Sequence, residues 1–227
     1  MAPGINPQGG IATLADAATA ELRERILSGE LASGTPLRLE ELARSLGMSI
    51  SPIREAVRKL ETLGLAEHVA HRGSRVTLLT VDDLRDTYEA RYALEPRAIE
   101  RASGRITQAE VGAARAALDR YLSCFERGDR AAGREAHDAF HFTLYQASGS
   151  DWLVRLIRPA WENSERYRAL AMPDLEMIRA REHEHQRILE ACAAGDAATA
   201  SAELRTHLEV TERFVVERLL GASPAEA

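Results

Sequence analysis

The sequence predicts a mainly α protein in two parts, an N-terminal winged helix-turn-helix and an antiparallel six-helix bundle. Three observations point there. Its 227 residues exceed a typical domain of roughly 150, which suggests two domains of unequal size. Thirty-nine alanines against eleven aromatic residues favour helix, because alanine gives up no side-chain entropy there while sheets prefer bulky and β-branched residues. Apolar residues recur at helical spacing except over residues 65–79, where two short segments flank a glycine turn.

Residues 1–11 are rich in Gly and Pro and predict a disordered arm, which places the first domain at 12–80. Thr13 and Asp16 have the spacing of a capping box, and Leu14, Ala18, Leu22 and Ile26 then mark one helical face as far as Gly29. After the break SGELASGTP, Leu39, Leu42, Ala43 and Leu46 make a short amphipathic helix, with Gly47 suited to a left-handed cap. Ser51 is expected to cap the third helix, with Pro52 at its first position and Ile53, Ala56, Val57, Leu60 and Leu63 facing inward. Two short helices joined by a tight turn read as helix-turn-helix. The segments 65–70 and 75–79, around HRGS, add the hairpin of a wing. Thr80 and Asp83 open the next helix, which runs to about Ser103, so the boundary falls near residue 80. Breaks at 104–106, 128–129, 148–150, 172–173 and 195–196 divide residues 81–221 into six helices, one of them opened by a Thr107/Glu110 capping box.

Composition excludes several classes. With 45% hydrophobic and 28% charged residues the chain is not intrinsically disordered, and no apolar run is long enough to span a membrane. Two cysteines cannot make a disulfide framework, and the first twenty residues lack the basic and apolar regions of a secretion signal, so a cytoplasmic location is expected. The net charge of −6 argues against nucleic acid, but it lies wholly beyond residue 80. Between Arg44 and Arg75 six basic residues face three acidic ones, a local anion-binding balance. Inner positions of the third helix leave Arg54 and Arg58 one turn apart on the outside, where a guanidinium can fork onto guanine or hold a phosphate. Ser49 and Ser51 at the helix start can bond phosphate beside the positive dipole end. Arg72 and Arg75 flank the hairpin turn, and Gly73 lets its tip approach a groove. The partner these features suit is double-stranded DNA.

These positions carry a resemblance. Gly29, Leu31, Gly34, Leu37, Leu42-Ala43, Ser49, Pro52, Arg54-Glu55-Ala56, Leu60, Leu63-Gly64-Leu65, Arg72-Gly73 and Val76 match the pattern of the winged-helix domain of the GntR family of bacterial transcription regulators. The resemblance implies DNA contact at Arg38, Ser49, Arg54, Arg72 and Gly73. One position departs: Ile50 stands where the family usually has a DNA-contacting Arg, which implies a different operator or a weaker affinity.

The second part holds His137, His141, His183, His185 and His207. His137 and His141 are four apart in HDAFH, so they share a helix face and can reach one ion, with Asp138 a near alternative. His183 and His185 point apart, so at most one joins, and His207 can come from the opposite wall. A lone histidine on such a helix is ordinarily exposed or hydrogen-bonded, whereas the set fits a metal site. A rival reading is a ferritin-like di-metal enzyme, since Asp138-x-x-His141 and Glu182-x-x-His185 have acid-x-x-His spacing and Glu95 and Glu203 could complete it. Arg91 lies on an otherwise core-like stripe with Leu84, Tyr88, Glu95, Ala98 and Ala102, where it either pairs with Glu95 or enters a cavity.

The runs RYALEPRAIERAS, HDAFHFTLYQASGS, EHEHQRILEACAAGD and LRTHLE resemble the FCD ligand-binding domain of the FadR branch of that family, and the six helices its shorter, VanR-like subgroup. The resemblance implies a homodimeric regulator that reads a pseudo-palindromic operator and binds a small organic acid near Arg91. It also implies a divalent metal held by His141, His185 and His207. The family's Asp or Asn ligand position is His137 here, with Asp138 beside it, and four imidazoles favour Zn or Ni over a harder ion.

Overall fold

The computed structural model describes residues 13–171 and 175–221. The arm predicted at 1–11 and the break at 172–173 lie outside the described residues. The chain divides into two compact units, the first ending at Leu78 and the second beginning at Leu79.

In the first unit, α1 (Leu14–Leu27), α2 (Leu39–Leu46) and α3 (Ile50–Thr62) precede a hairpin of β1 (Ala66–Val69) and β2 (Gly73–Val76). Thr13 and Asp16 form the reciprocal capping box at the start of α1. Ala18, Leu22, Ile53, Ala56 and Leu60 are fully buried together, which packs α1 across α3 and leaves the opposite face of α3 in solvent. Gly47 ends α2 with φ +63°, the left-handed conformation that glycine adopts without strain.

Two local expectations are corrected. The third helix starts at Ile50 with Ser49 as its flanking residue, two positions earlier than Ser51 and Pro52 suggested. Pro52 is tolerated there because the first four amides of a helix have no partner within it, so its missing N–H costs no bond. The hairpin is shorter than 65–70 and 75–79: Ala66 pairs with Val76 and Val69 with Gly73, in antiparallel register. The Arg72 amide donates to the Val69 carbonyl at 3.0 Å, so the turn closes on 70–72 and Gly73 (φ +80°) belongs to β2. The segment read only as a break also flanks the wing. Gly34 and Leu37 amides donate to Val76 and Ser74 carbonyls at 3.0 and 2.8 Å, covering the outer edge of β2.

The second unit contains α4 (Val81–Ala102), α5 (Gln108–Glu126), α6 (Arg130–Ala147), α7 (Asp151–Ala171), α8 (Leu175–Ala193) and α9 (Ala197–Gly221). Thr80 caps α4 by accepting from the Asp83 amide, and Thr107 and Glu110 form a complete capping box on α5. α4 packs against α9, α7 and α6, while α5 packs against α6 and α8. Tyr88, Phe140, Tyr145, Trp161 and Tyr167 are fully buried in this unit's core. Tyr167 ties α7 to the start of α4: its hydroxyl donates to Asp83 and accepts from the Thr80 amide at 3.2 Å.

Candidate functional site

The first unit presents a cationic face. Arg54 and Arg58 are exposed on the outer side of α3, as its inward stripe requires. Their acidic neighbours turn elsewhere. Glu55 faces Lys59 at 3.6 Å, and Glu61 accepts from the Ser74 hydroxyl at 2.6 Å. Among the described residues, Arg54, Arg58 and Arg72 have no side-chain hydrogen bond or ion pair. One groove is lined by Arg38, Arg54, Arg58, Arg72 and Gly73, and also by Arg44 and His68. Arg38 is paired with Glu41 at 2.9 Å across an exposed surface, a contact of little worth that a phosphate can replace. Arg75, by contrast, is held by Glu67 at 2.8 Å within the hairpin. Ser49 and Ser51 are exposed at the first turn of α3, and Ile50 between them leaves 38% of its surface in solvent. Arg44 had entered only the basic balance of this stretch and His68 had escaped sequence reading, because their membership depends on how α2 and β1 turn toward the groove.

In the second unit, α6 supplies His137 and His141, α8 supplies His185 and α9 supplies His207. All four are buried, and one ligand nitrogen from each lies within 4.8 Å of the others. His185 Nε2 stands 3.2 Å from His137 Nε2 and 3.1 Å from His141 Nε2. Burial first, then the positive charge of neighbouring imidazoles and guanidiniums, holds all four well below the ordinary histidine range. They are therefore neutral at pH 7, the form in which imidazole ligates a metal. Supporting groups orient the rings: His207 Nδ1 is 2.7 Å from Glu184 and His141 Nδ1 is 3.2 Å from the Tyr145 hydroxyl, which itself donates to Glu95 at 2.6 Å. Trp161 stacks on His137 with centroids 5.4 Å apart. A donor set of four neutral imidazoles with this outer shell fits a four-coordinate divalent ion.

The structure separates the remaining candidates from this cluster. Asp138 points away and accepts two bonds from Arg158, at 2.9 and 3.2 Å; one residue along a helix turns a side chain by about 100°, so His137 and Asp138 cannot share a direction. His183 is exposed. The acids of the di-metal reading do not converge either. Glu182 accepts from Gln186 at 3.1 Å, Glu203 from Arg187 at 2.9 Å, and Glu95 is taken by Arg91. That reading is corrected: the histidines meet without the carboxylates that a di-metal centre requires.

Arg91 satisfies both of its expectations at once. It faces inward, 1% exposed, and its Nε and one Nη donate to the two Glu95 oxygens at 2.6 and 3.2 Å while the other Nη donates to Ser164 at 3.1 Å. Burial alone would lower its basicity, but the Glu95 carboxylate beside it more than compensates and holds it above the usual value. Beside the histidines is a cavity of about 100 Å³, lined by Arg91, His137, His185 and His207 and by four arginines that sequence reading did not single out, Arg130, Arg134, Arg168 and Arg181. Arg181 lies one turn before His185, and that spacing was the signal available for it.

A winged helix that exposes Arg54, Arg58 and Arg72 without side-chain partners among the described residues, in one chain with a helical unit that buries an imidazole cluster beside an arginine-lined cavity, has the make-up of a DNA-binding regulator. Residues 14–76 match the model of the bacterial regulatory proteins of the GntR family, and residues 86–210 match that of the FCD domain. The chain belongs to the GntR family, as an FCD-containing DNA-binding transcriptional regulator. It is 32% identical to a probable D-xylose utilization operon transcriptional repressor of Paenarthrobacter nicotinovorans, covering 81% of this chain and 80% of that one. It is 26% identical to the transcriptional repressor GlaR of Escherichia coli, covering 88% and 94%. The E. coli McbR structure shares the fold, with a TM-score of 0.80 at 20% identity over 92% of this chain and 100% of that one. These relatives are regulators rather than enzymes. Among the described residues no helix is long and apolar enough to cross a membrane.

Proposed function

We propose that residues 12–80 read a pseudo-palindromic operator as part of a homodimer, and that residues 81–221 sense a small carboxylate beside a divalent metal, zinc or nickel. The observation that carries this reading is the convergence of His137, His141, His185 and His207, all neutral and buried, with three of them, His137, His185 and His207, on the wall of an arginine-lined cavity. The metal, when bound, supplies a positive centre toward which a carboxylate is drawn. The chain's own residues do the rest. Glu184 and Tyr145 orient the imidazoles, Arg91 fixes α4 against α7 through Ser164, and the buried aromatic rings exclude water. Acid binding then shifts the dimer between DNA-competent and DNA-incompetent populations, with release from the operator as the expected sign.

On the DNA side, Arg54 and Arg58 supply base or backbone contacts from α3, Ser49 and Ser51 hold phosphate at its first turn, and Arg38, Arg72 and Gly73 border the same groove. The test of the sensing half is elemental analysis after loading purified full-length chain with Zn(II) or Ni(II). One ion per chain is expected, falling to near zero in His141→Ala and His185→Ala. A wild-type chain that retains no metal after loading would overturn the metal site, and two ions per chain would reinstate a dinuclear centre.

A further inference from the structure

Side chains four residues apart on a helix stand one above the other. On α3 that spacing makes a stripe of Ile50, Arg54 and Arg58, beginning at the first residue of the helix. The two arginines are exposed and line the groove that Arg72 and Gly73 also border. Ile50 continues the stripe toward the N-terminus with 38% of its surface in solvent, while Ile53, Ala56, Val57 and Leu60 hold the buried side. Among the described residues the large apolar side chains that the first unit exposes are Leu14, Ile50 and Leu78, and of these Ile50 alone belongs to α3. Its neighbours Ser49 and Ser51 are both exposed, and the Ser49 hydroxyl makes no capping bond to the helix it precedes.

An isolated exposed apolar side chain is ordinary on a protein surface. What singles out Ile50 is its place, since a helix lying in the major groove brings its N-terminal residues to the base edges. Those edges carry hydrogen-bonding groups on every base pair and one apolar group, the C5-methyl of thymine. Isoleucine has neither donor nor acceptor. Against a phosphate, a guanine or a cytosine amino group it would strip water from a polar atom and return no bond. Against a methyl it buries apolar surface on both partners. Its β-branched side chain is also held to one main rotamer in a helix, so little freedom is lost when the contact forms.

We propose that Ile50 is a base-reading residue that contacts the C5-methyl of a thymine, so that each half-site carries a T·A pair beside the position met by Arg54. The inference rests on the reading of α3 as the helix that enters the groove, and adds to it what the first turn recognises. Ser49 and Ser51 flank the contact with hydroxyls suited to phosphate, and Arg54 follows one turn later with a guanidinium.

The experiment begins with selection of binding sites from a pool of randomised DNA duplexes, by the full-length chain and by Ile50→Ala. Wild-type sites should fix a T·A pair at a position where the Ile50→Ala sites accept any pair. Replacing that thymine with uracil removes only the methyl, and in a gel shift should weaken wild type about fourfold, the worth of one buried methyl group, while changing Ile50→Ala by less than about 1.5-fold. With guanine opposite, 5-methylcytosine at that position should bind wild type more tightly than cytosine does. Ile50→Val, which keeps a branched apolar side chain, should retain most of the uracil effect. The salt slope should be the same in wild type and Ile50→Ala, because a methyl contact releases no counterion. Uracil bound as tightly as thymine, an equal uracil penalty in Ile50→Ala, or identical preferences in the two selections would overturn the proposal. If Arg54→Ala weakens binding to the selected site while uracil does not, only the role of Ile50 is lost. If Arg54→Ala also binds as tightly as wild type, α3 does not read the groove and the underlying reading fails. A chain that enriches no duplex would remove operator reading, and this inference with it.

Discussion

Glu95 gives both carboxylate oxygens to the guanidinium of Arg91, one turn earlier on α4, and neither side chain is more than 1% exposed. Such a pair is weak evidence of net stabilisation, because two desolvated charges cost nearly what their attraction returns. Breaking it is another matter. Arg91→Ala leaves a buried carboxylate whose remaining donor is Tyr145, and should destabilise the helical unit by about 3–5 kcal/mol. The paired replacement Arg91→Met with Glu95→Leu should recover most of that loss. Urea unfolding followed by tryptophan fluorescence isolates this unit, since both tryptophans, Trp152 and Trp161, lie on α7. A loss under about 1 kcal/mol in Arg91→Ala would show that the pair is not sealed from water.

The metal site can be separated from its neighbour on the helix. Asp138→Ala should retain one bound ion per chain, because Asp138 serves Arg158 rather than the imidazoles. At a free metal concentration of 100 times the dissociation constant, wild type should gain about 2.7 kcal/mol of stability, and the Asp138 variant should gain the same. Loss of metal from Asp138→Ala would put the carboxylate back into the ligand set.

Without metal, the four histidines make stability depend on pH. Burial depresses their folded-state values below the ordinary 6.5, so between the two values the unfolded chain binds more protons than the folded one. Stability is therefore fully present above about pH 7 and falls as pH drops through 6.5, by up to about 1.4 kcal/mol per pH unit for each histidine that titrates. Urea midpoints of the chelated protein at pH 8, 7, 6 and 5.5 measure this. A flat profile would mean that the imidazoles are hydrated.

On the DNA side, Arg54→Ala should weaken operator binding by about 1–3 kcal/mol, roughly five- to 150-fold in a gel shift. Lys59→Ala should change it less than about threefold, because Lys59 is engaged by Asp16 at 2.7 Å. An Arg54 variant that binds as tightly as wild type would remove α3 from the interface.

Ile50 offers a gain-of-affinity test. It is exposed between Ser49 and Ser51 at the dipole end of α3, the one apolar side chain in that stretch. Ile50→Arg should tighten DNA binding and steepen the salt dependence by about one unit of log–log slope, the signature of an added phosphate contact. An unchanged slope would place residue 50 away from the backbone.

Local rules read this chain well where the determining atoms are close in sequence. The capping boxes at Thr13/Asp16 and Thr107/Glu110 and the stop at Gly47 each involve residues within a single turn, and each forms. His141, His185 and His207 were legible from motif and spacing. What escaped depends on partners distant along the chain. The edge that residues 34–37 add to β2 rests on bonds from Gly34 to Val76, and nothing in SGELASGTP announces them. The choice between His137 and Asp138 turns on which of two directions 100° apart faces α8, and Arg158 on α7 decides it. Arg181 was visible as a residue one turn before His185, but that it meets no carboxylate among the described residues can be known only once Glu165 and Glu184 are seen to be committed elsewhere.

Tyr167 has a thermodynamic consequence. Its hydroxyl holds Thr80 and Asp83, near the start of the unit that begins at Leu79, while Arg168 and Ala169 beside it line the cavity. If acid binding displaces this stretch of α7 and thereby alters operator affinity by some factor, thermodynamic reciprocity requires operator DNA to alter acid affinity by the same factor. The regulator on its operator is then a sensor of different threshold from the regulator free in solution. Because Tyr167→Phe removes the bond to Asp83 without touching the cavity lining, it should bring the two thresholds closer together.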